Sequence, residues 1–154
     1  MLRDRSTILC FNDHTSSPIK IDNRIGQGNP LLMALYQFYN ADLVEIPKEN
    51  EGETAEAYID DAIISATAKT FKEAHEKIIE MMTRDGGAIE WTKKHNSHFE
   101  FSKLVLIDFA HSRRPAERPP LTLPNIIINP SKSMKYLGIM LDQNLSWKEQ
   151  LAYV

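Results

Sequence analysis

The stretch Ala57-Tyr58-Ile59-Asp60-Asp61-Ala62-Ile63-Ile64 decides how this chain is read. Two adjacent aspartates stand between apolar residues, although aspartate disfavours strands and an uncompensated carboxylate beside buried groups costs stability. A hairpin turn removes the conflict, and aspartate is a common turn former, so an ordinary turn accounts for the dipeptide taken alone. The same position has a second use. In a regular strand successive side chains point to opposite faces, so two neighbouring carboxylates can approach one cation only where a turn bends the backbone. Oxygen ligands of this kind suit Mg²⁺, which is held by one or two carboxylates together with substrate phosphates.

On either side of this hairpin the chain divides into recognisable elements. Thr7 to Phe11 and Pro18 to Ile21 read as short strands joined by a polar hairpin loop from Asn12 to Ser17. Gly26 and Gly28 then break the chain, Asn29 suits an N-cap and Pro30 suits the first helical position. Leu32, Leu35, Tyr39, Leu43 and Ile46 follow at spacings of three or four, which predicts an amphipathic helix over Pro30 to Ile46 that stops before Pro47. The acidic stretch Glu49 to Glu56 reads as a solvated loop leading into the aspartate hairpin. Thr70-x-x-Glu73 is a capping box for a second helix, Phe71 to Thr83, which Gly86-Gly87 ends. Ala88 to Lys94 reads as a short helix, Phe99 to Phe101, Leu104 to Phe109, Ile126 to Ile128 and Lys135 to Leu141 as strands, and Ser146-Trp147-Lys148-Glu149 as the start of a last helix. Strands before and after the helices, without strict alternation, predict an α+β layer: a mostly antiparallel sheet with helices packed on one face.

Composition sets the outer limits. With 154 residues, 42% of them apolar and 25% charged, the chain is long and apolar enough for one domain with a core. The single cysteine, Cys10, excludes an internal disulfide and suits a reducing compartment. No apolar run reaches membrane-spanning length, and Met1-Leu2-Arg3-Asp4-Arg5 lacks the apolar core of a signal peptide, so an intracellular address, nuclear or cytoplasmic, is expected. The net charge of −3 is no nucleic-acid signature, but bases gather late, at Lys93, Lys94, Lys103, Arg113, Arg114 and Arg118, so any groove for a polyanion has to be built locally. Zinc is rejected for His95, His98, Cys10 and His14, because the spacing lacks close ligand pairs and only one cysteine exists.

Several motifs beyond the aspartates occur in a meaningful order. Leu9-Cys10-Phe11-Asn12-Asp13-His14, Ile25-Gly26-Gln27-Gly28-Asn29-Pro30-Leu31-Leu32, Tyr39-Asn40-Ala41-Asp42-Leu43, Tyr58-Ile59-Asp60-Asp61, His95-Asn96-Ser97-x-Phe99-Glu100, Lys103 and Tyr136-Leu137-Gly138-x-x-Leu141-Asp142 follow one another from about Thr7 to Trp147. This ordered set resembles the palm of a reverse transcriptase, closest to the non-LTR (LINE-type) retrotransposon group. The resemblance implies a partial palm over residues 1–112, a Pro/Arg-rich connector over 113–124, and the end of the palm with the start of a thumb over 125–154. It implies RNA-directed DNA polymerase chemistry on deoxynucleoside triphosphates and an RNA template with a DNA primer, with Mg²⁺, or Mn²⁺, as cofactor.

Residue roles follow from the same likeness. Asp60 becomes the firmer metal ligand and Asp61 the more peripheral one, with Tyr58 and Ile59 framing the site beside the primer end. Gly26, Gln27 and Gly28 would lie against the incoming nucleotide and template, where glycine permits close backbone approach and a helix start offers free N–H groups. Lys103 would stand near the triphosphate, and Tyr136, Leu137 and Gly138 would form the turn that grips the primer. Each has a plainer reading: a glycine-rich start to a helix, a solvated lysine at a strand end, and a core strand in which Gly138 allows close packing. The likeness departs at Arg24 and Leu32, where the family usually has glycine and serine.

The family supplies a third carboxylate from a strand well ahead of the Gln-Gly segment. Asp4 and Asp13 do not follow its pattern, and the fingers have no counterpart here. The expectation is therefore the back half of a palm whose isolated chain is inactive, with an unpaired strand edge beside the aspartate hairpin. The alternative is a non-catalytic remnant or interaction module that keeps the fold without the chemistry.

Overall fold

A computed structural model describes residues 5–21, 30–110 and 117–154, apart from the side chains of Arg5, Ile21, Pro30 and Leu32. Gly26, Gln27, Gly28, Arg24, the proposed cap Asn29, Arg113 and Arg114 lie outside the described residues. The chain forms two compact units, Met1–Tyr36 and Gln37–Val154.

In the first unit, β1 (Arg5–Thr7) pairs antiparallel with β4 (Ile19–Ile21), and inside them β2 (Cys10–Phe11) pairs with β3 (His14–Thr15). The expected strand Thr7 to Phe11 is thus interrupted at Ile8-Leu9. There the Ser16 hydroxyl accepts from the Leu9 N–H at 3.0 Å, and the Ser16 N–H donates to the Leu9 carbonyl at 2.9 Å. Side-chain and backbone bonding to one serine takes up groups that a continuous ladder would use.

Helix α1 covers Pro30–Val44, ending two residues earlier than the sequence predicts, while Ile46 still packs on the core. A 3-10 turn, Glu49–Glu51, closed by Gly52 at φ 75°, leads into β5 (Glu53–Tyr58), which pairs antiparallel with β6 (Asp61–Ala66). The solvated acidic loop expected up to Glu56 is therefore corrected, since Glu53 opens a strand and is completely buried. Arg84 holds its carboxylate with two contacts, Nη1 to Oε1 at 3.2 Å and Nη2 to Oε2 at 2.8 Å, and the Lys48 N–H donates at 2.8 Å. Burial pushes this carboxyl up, but the bonds from Arg84 and the Lys48 N–H, with the charges of both side chains, hold it below the usual carboxylate range.

Helices α2 (Phe71–Thr83) and α3 (Ala88–Lys94) have the predicted bounds. The Thr70 hydroxyl accepts from the Glu73 N–H at 3.2 Å, and the Glu73 carboxylate reaches the N–H of Lys69, one residue before the cap. At Gly87 an added Cβ would lie 2.7 Å from the carbonyls of Met81 and Arg84, so the turn between α2 and α3 has room for glycine alone.

The C-terminal part differs more from expectation. Phe99 to Phe101 is not a strand; Phe101–Lys103 is a 3-10 turn, and only Leu106–Ile107 of the next apolar run is a strand, β7. Strands β8 (Leu121–Leu123) and β9 (Ile126–Ile128) form an antiparallel pair, and β10 (Pro130–Ser131) runs parallel to β7. Leu121 and Leu123 are 2% and 4% exposed and belong to the core. Lys135 to Leu141 is not one strand but a hairpin, β11 (Ser133–Tyr136) with β12 (Ile139–Asp142), turning at Leu137-Gly138. Helix α4 (Lys148–Tyr153) follows.

The molecule is thus a mixture of helices and mainly antiparallel strands, but its strands form two-stranded ladders rather than one continuous sheet among the described residues. The core of the second unit joins Leu43 of α1, Met82 of α2, Ala88 and Trp91 of α3, Leu106 of β7 and Leu121 and Leu123 of β8. Tyr39, Ile64, Ile78 and Phe101 pack around it. His75 Nε2 of α2 and Asp108 Oδ1 meet at 2.8 Å, both side chains being buried.

Candidate active site at the aspartate hairpin

The β5–β6 register, Glu53 with Ala66 through Tyr58 with Asp61, leaves only Ile59 and Asp60 in the loop. Directly opposed residues share a face of an antiparallel pair. Glu53, Ala55, Ala57, Ala62, Ile64 and Ala66 therefore form the inner face, which carries Ile64 to the core. Thr54, Glu56, Tyr58, Asp61, Ile63 and Ser65 form the outer face, where the Thr54 and Ser65 hydroxyls meet at 2.6 Å. The aspartates stand where the sequence places them, Asp60 in the turn and Asp61 as the first residue of β6. Both are exposed.

The turn is strained at one residue. Ile59 has φ 54°, in the left-handed region, while Asp60 does not. A positive φ at the first central residue alone is the pattern of a type II′ turn, which normally places glycine there. A β-branched residue in that region is an outlier, and such strain persists only where surrounding contacts hold it, commonly at functional sites. One contact is evident. Asn40 of α1 is 7% exposed, and its Nδ2 donates to the Ile59 carbonyl at 2.5 Å.

Tyr58 lies directly across from Asp61 on the outer face and is half exposed. Tyr136, at the end of β11, feels the same face: burial raises its phenol above the ordinary tyrosine range, and the negative charges of Glu56 and Asp61 raise it further. The structure thus brings Tyr136 within electrostatic reach of Asp61 and adds Glu56, which stands on β5 and not in a solvated loop. The period-two alternation from Glu53 to Tyr58 was the signal that could have found it.

The core-strand reading of Tyr136-Leu137-Gly138 is corrected. Leu137 has φ 46° and Gly138 φ 86°, the pair of positive values a type I′ hairpin turn needs. Leu137 is 47% exposed, and a Cβ on Gly138 would meet nothing within 4 Å, so this glycine serves the turn rather than close packing.

Lys103 is exposed at the end of its 3-10 turn rather than on a strand. Its charge helps keep Glu100 low, after the dominant bond from the Ser102 hydroxyl at 2.7 Å, and no ion pair joins it to either aspartate. Gly26, Gln27 and Gly28 lie outside the described residues. Surface depressions of about 530 and 410 Å³ lie elsewhere, along Lys69, Glu73 and Lys77 and along Asp42, Arg84 and Glu90.

As a donor set, Asp60 and Asp61 offer hard oxygens on an exposed tip, and among the described residues no three His, Cys, Asp or Glu side chains come together to hold an ion. The set fits an open Mg²⁺ site completed by water and phosphate oxygens, not a closed cage.

Comparison with known proteins gives the hairpin a context. No family model and no solved structure matches the chain. Its sequence is similar to the RNA-directed DNA polymerase from mobile element jockey of Drosophila funebris, with 26% identity over 147 residues. The match covers 90% of this chain and 15% of that polymerase, so the chain spans a small part of its relative's length.

Proposed function

We propose that this chain is a palm segment of a non-LTR reverse transcriptase, with Asp60 and Asp61 as carboxylates of a two-metal phosphoryl-transfer centre. The observation that carries the reading is the strained, buttressed turn that presents the two aspartates, in a chain similar along 90% of its length to a retrotransposon polymerase. Phosphoryl transfer needs positioning and neutralisation of charge more than covalent help from the protein. Bound Mg²⁺ or Mn²⁺ would supply that neutralisation at the attacking and leaving oxygens. The chain's own part is to hold the ligands: Asp60 as the firmer, Asp61 as the more peripheral, with Tyr58 beside the primer end. Tyr136, Leu137 and Gly138 would grip the primer along the outer face. Lys103 would neutralise or protonate departing pyrophosphate, and Gly26, Gln27 and Gly28 would lie against the nucleotide and the RNA template.

A second reading has its own observation. No third carboxylate joins Asp60 and Asp61 among the described residues, which favours a remnant or interaction module that keeps the hairpin without turnover. The two combine in one expectation: the isolated chain does not extend a primer, because no third carboxylate joins the pair among the described residues and positioning dominates phosphoryl transfer. Primer extension on an RNA template with Mg²⁺ or Mn²⁺ tests this against Asp60→Ala. Extension lost in the variant would overturn the inactivity. Mn²⁺-induced broadening of the Asp60 and Asp61 amide resonances tests the metal site itself, and its absence would leave the remnant reading alone.

A further inference from the structure

We infer that Asn40 is the positioning residue of the aspartate hairpin, fixing the turn in which Asp60 and Asp61 are presented; this rests on the reading of that hairpin as the metal-binding centre. The oxygen that Asn40 holds belongs to the peptide between Ile59 and Asp60, the two loop residues. Type I′ and type II′ turns differ by a flip of this middle peptide: I′ needs positive φ at both residues, II′ only at the first. With Ile59 at φ 54° and Asp60 outside the left-handed region, the turn is on the II′ side, and a donor anchored on that carbonyl opposes the flip. A flip would redirect the backbone at Asp60 and change the angle at which its carboxylate leaves the turn. Isoleucine does not choose a left-handed φ unaided, so the conformation has to be imposed from outside the hairpin.

Asn40 can impose it because its helix is fixed on both sides. The Tyr39 hydroxyl donates to the His95 carbonyl at 2.6 Å, and its ring meets the edges of Trp91 and His95 at 5.6 and 5.3 Å. Asp42 stands 3.6 Å from His95 Nε2 and 3.9 Å from Lys94 Nζ, and Leu43 is buried in the core. A buried amide held this firmly loses little additional freedom when it bonds the turn, so the bond selects one geometry.

The test uses the full chain, labelled with ¹⁵N and ¹³C. In the wild type, a scalar coupling across the hydrogen bond should connect the Asn40 side-chain nitrogen to the Ile59 carbonyl carbon, with slowed exchange of the Asn40 amide protons. Absence of both overturns the inference, and this measurement decides the matter even if every variant unfolds. In Asn40→Ala, and in the isosteric Asn40→Asp, which loses the donor when ionised, the Ile59, Asp60 and Asp61 amide resonances should shift and split or broaden. The resonances of Leu121 and Leu123 in the core should stay in place. A purely structural role would move the core and the turn together, and unchanged turn resonances would refute the positioning role. Failure of Mn²⁺ to broaden Asp60 in the wild type would instead remove the metal reading and leave the turn geometry standing, so the two failures are separable.

Discussion

Glu53 shows how a single residue changes meaning between sequence and structure. In the sequence it is one of a run of acids. In the fold it is completely buried, with Arg84 across both oxygens. Arg84 also donates to the Ile46 carbonyl at 2.5 Å, so one guanidinium just past α2 ties β5 to the segment that follows α1. Removing one partner of a buried pair leaves the other uncompensated, so Glu53→Ala is expected to cost about 3–5 kcal/mol, measured by urea unfolding. A loss below about 1 kcal/mol would mean Arg84 finds water instead. Tyr136 offers a second measurement at this scale. Its phenol should ionise above the ordinary tyrosine range, and Asp61→Asn should lower the midpoint by removing one of the charges that raises it. An unmoved midpoint in an ultraviolet pH titration would separate the β11–β12 turn from the aspartate face. The sign for stability follows from linkage: a raised folded pKa gives stability that is full below the unfolded value, about 10, and lost as pH rises through the folded value.

The elements are closed by local chemistry that can be removed piece by piece. Thr70→Ala removes the acceptor for the Glu73 N–H and is expected to cost about 1 kcal/mol, read as a lower urea midpoint with unchanged slope. Asp142 does comparable work for α4: its carboxylate accepts from the N–H groups of Asn144 and Ser146, each at 2.9 Å, and from the Ser146 hydroxyl at 3.1 Å. Burial pushes this carboxyl up, and those bonds with the Trp147 N–H outweigh the push and hold it low. Asp142→Ala should therefore loosen the turn ahead of α4, seen as faster amide exchange at Asn144 and Ser146. Protection unchanged from wild type would show that β12 alone positions this helix. The capping box was legible in the sequence because it is a matter of four consecutive residues. The Asp142 turn was not, because its donors Asn144 and Ser146 flank Leu145 at φ 51°, a conformation propensity alone would not assign to leucine.

For the whole molecule, the three depressed carboxyls of Glu53, Glu100 and Asp142 set the response to acid. All three bind protons less readily in the folded than in the unfolded chain. Their contribution is present above the unfolded carboxylate values, near 4, and is lost as pH falls through the lower folded values. The midpoint of urea unfolding should therefore fall steadily below about pH 4, and more gently in Glu53→Gln, where one of the three groups no longer titrates. Equal acid sensitivity in that variant would assign the effect to other carboxylates. The ladder β5–β6 has no third strand on either edge among the described residues, so its outer edges are open to pairing.

What the sequence determined by itself is local: the starts and ends of α2 and α3, the turn at Asp60-Asp61, and a glycine-bearing turn as one of two readings at Leu137-Gly138. Each depends on a few adjacent residues whose capping, dihedral or turn chemistry decides the conformation before any tertiary contact forms. What only the tertiary structure decided is which partners those residues meet. Whether Glu53 is solvated or buried depends on Arg84, thirty-one positions away. The conformation of Ile59 depends on Asn40, nineteen positions before it, and the charges that raise the Tyr136 phenol come from Glu56 and Asp61 of a different hairpin. The length of short strands such as Leu106–Ile107 is tertiary for the same reason: an apolar run becomes a strand only as far as a partner pairs with it, and here the partner is the two-residue Pro130–Ser131.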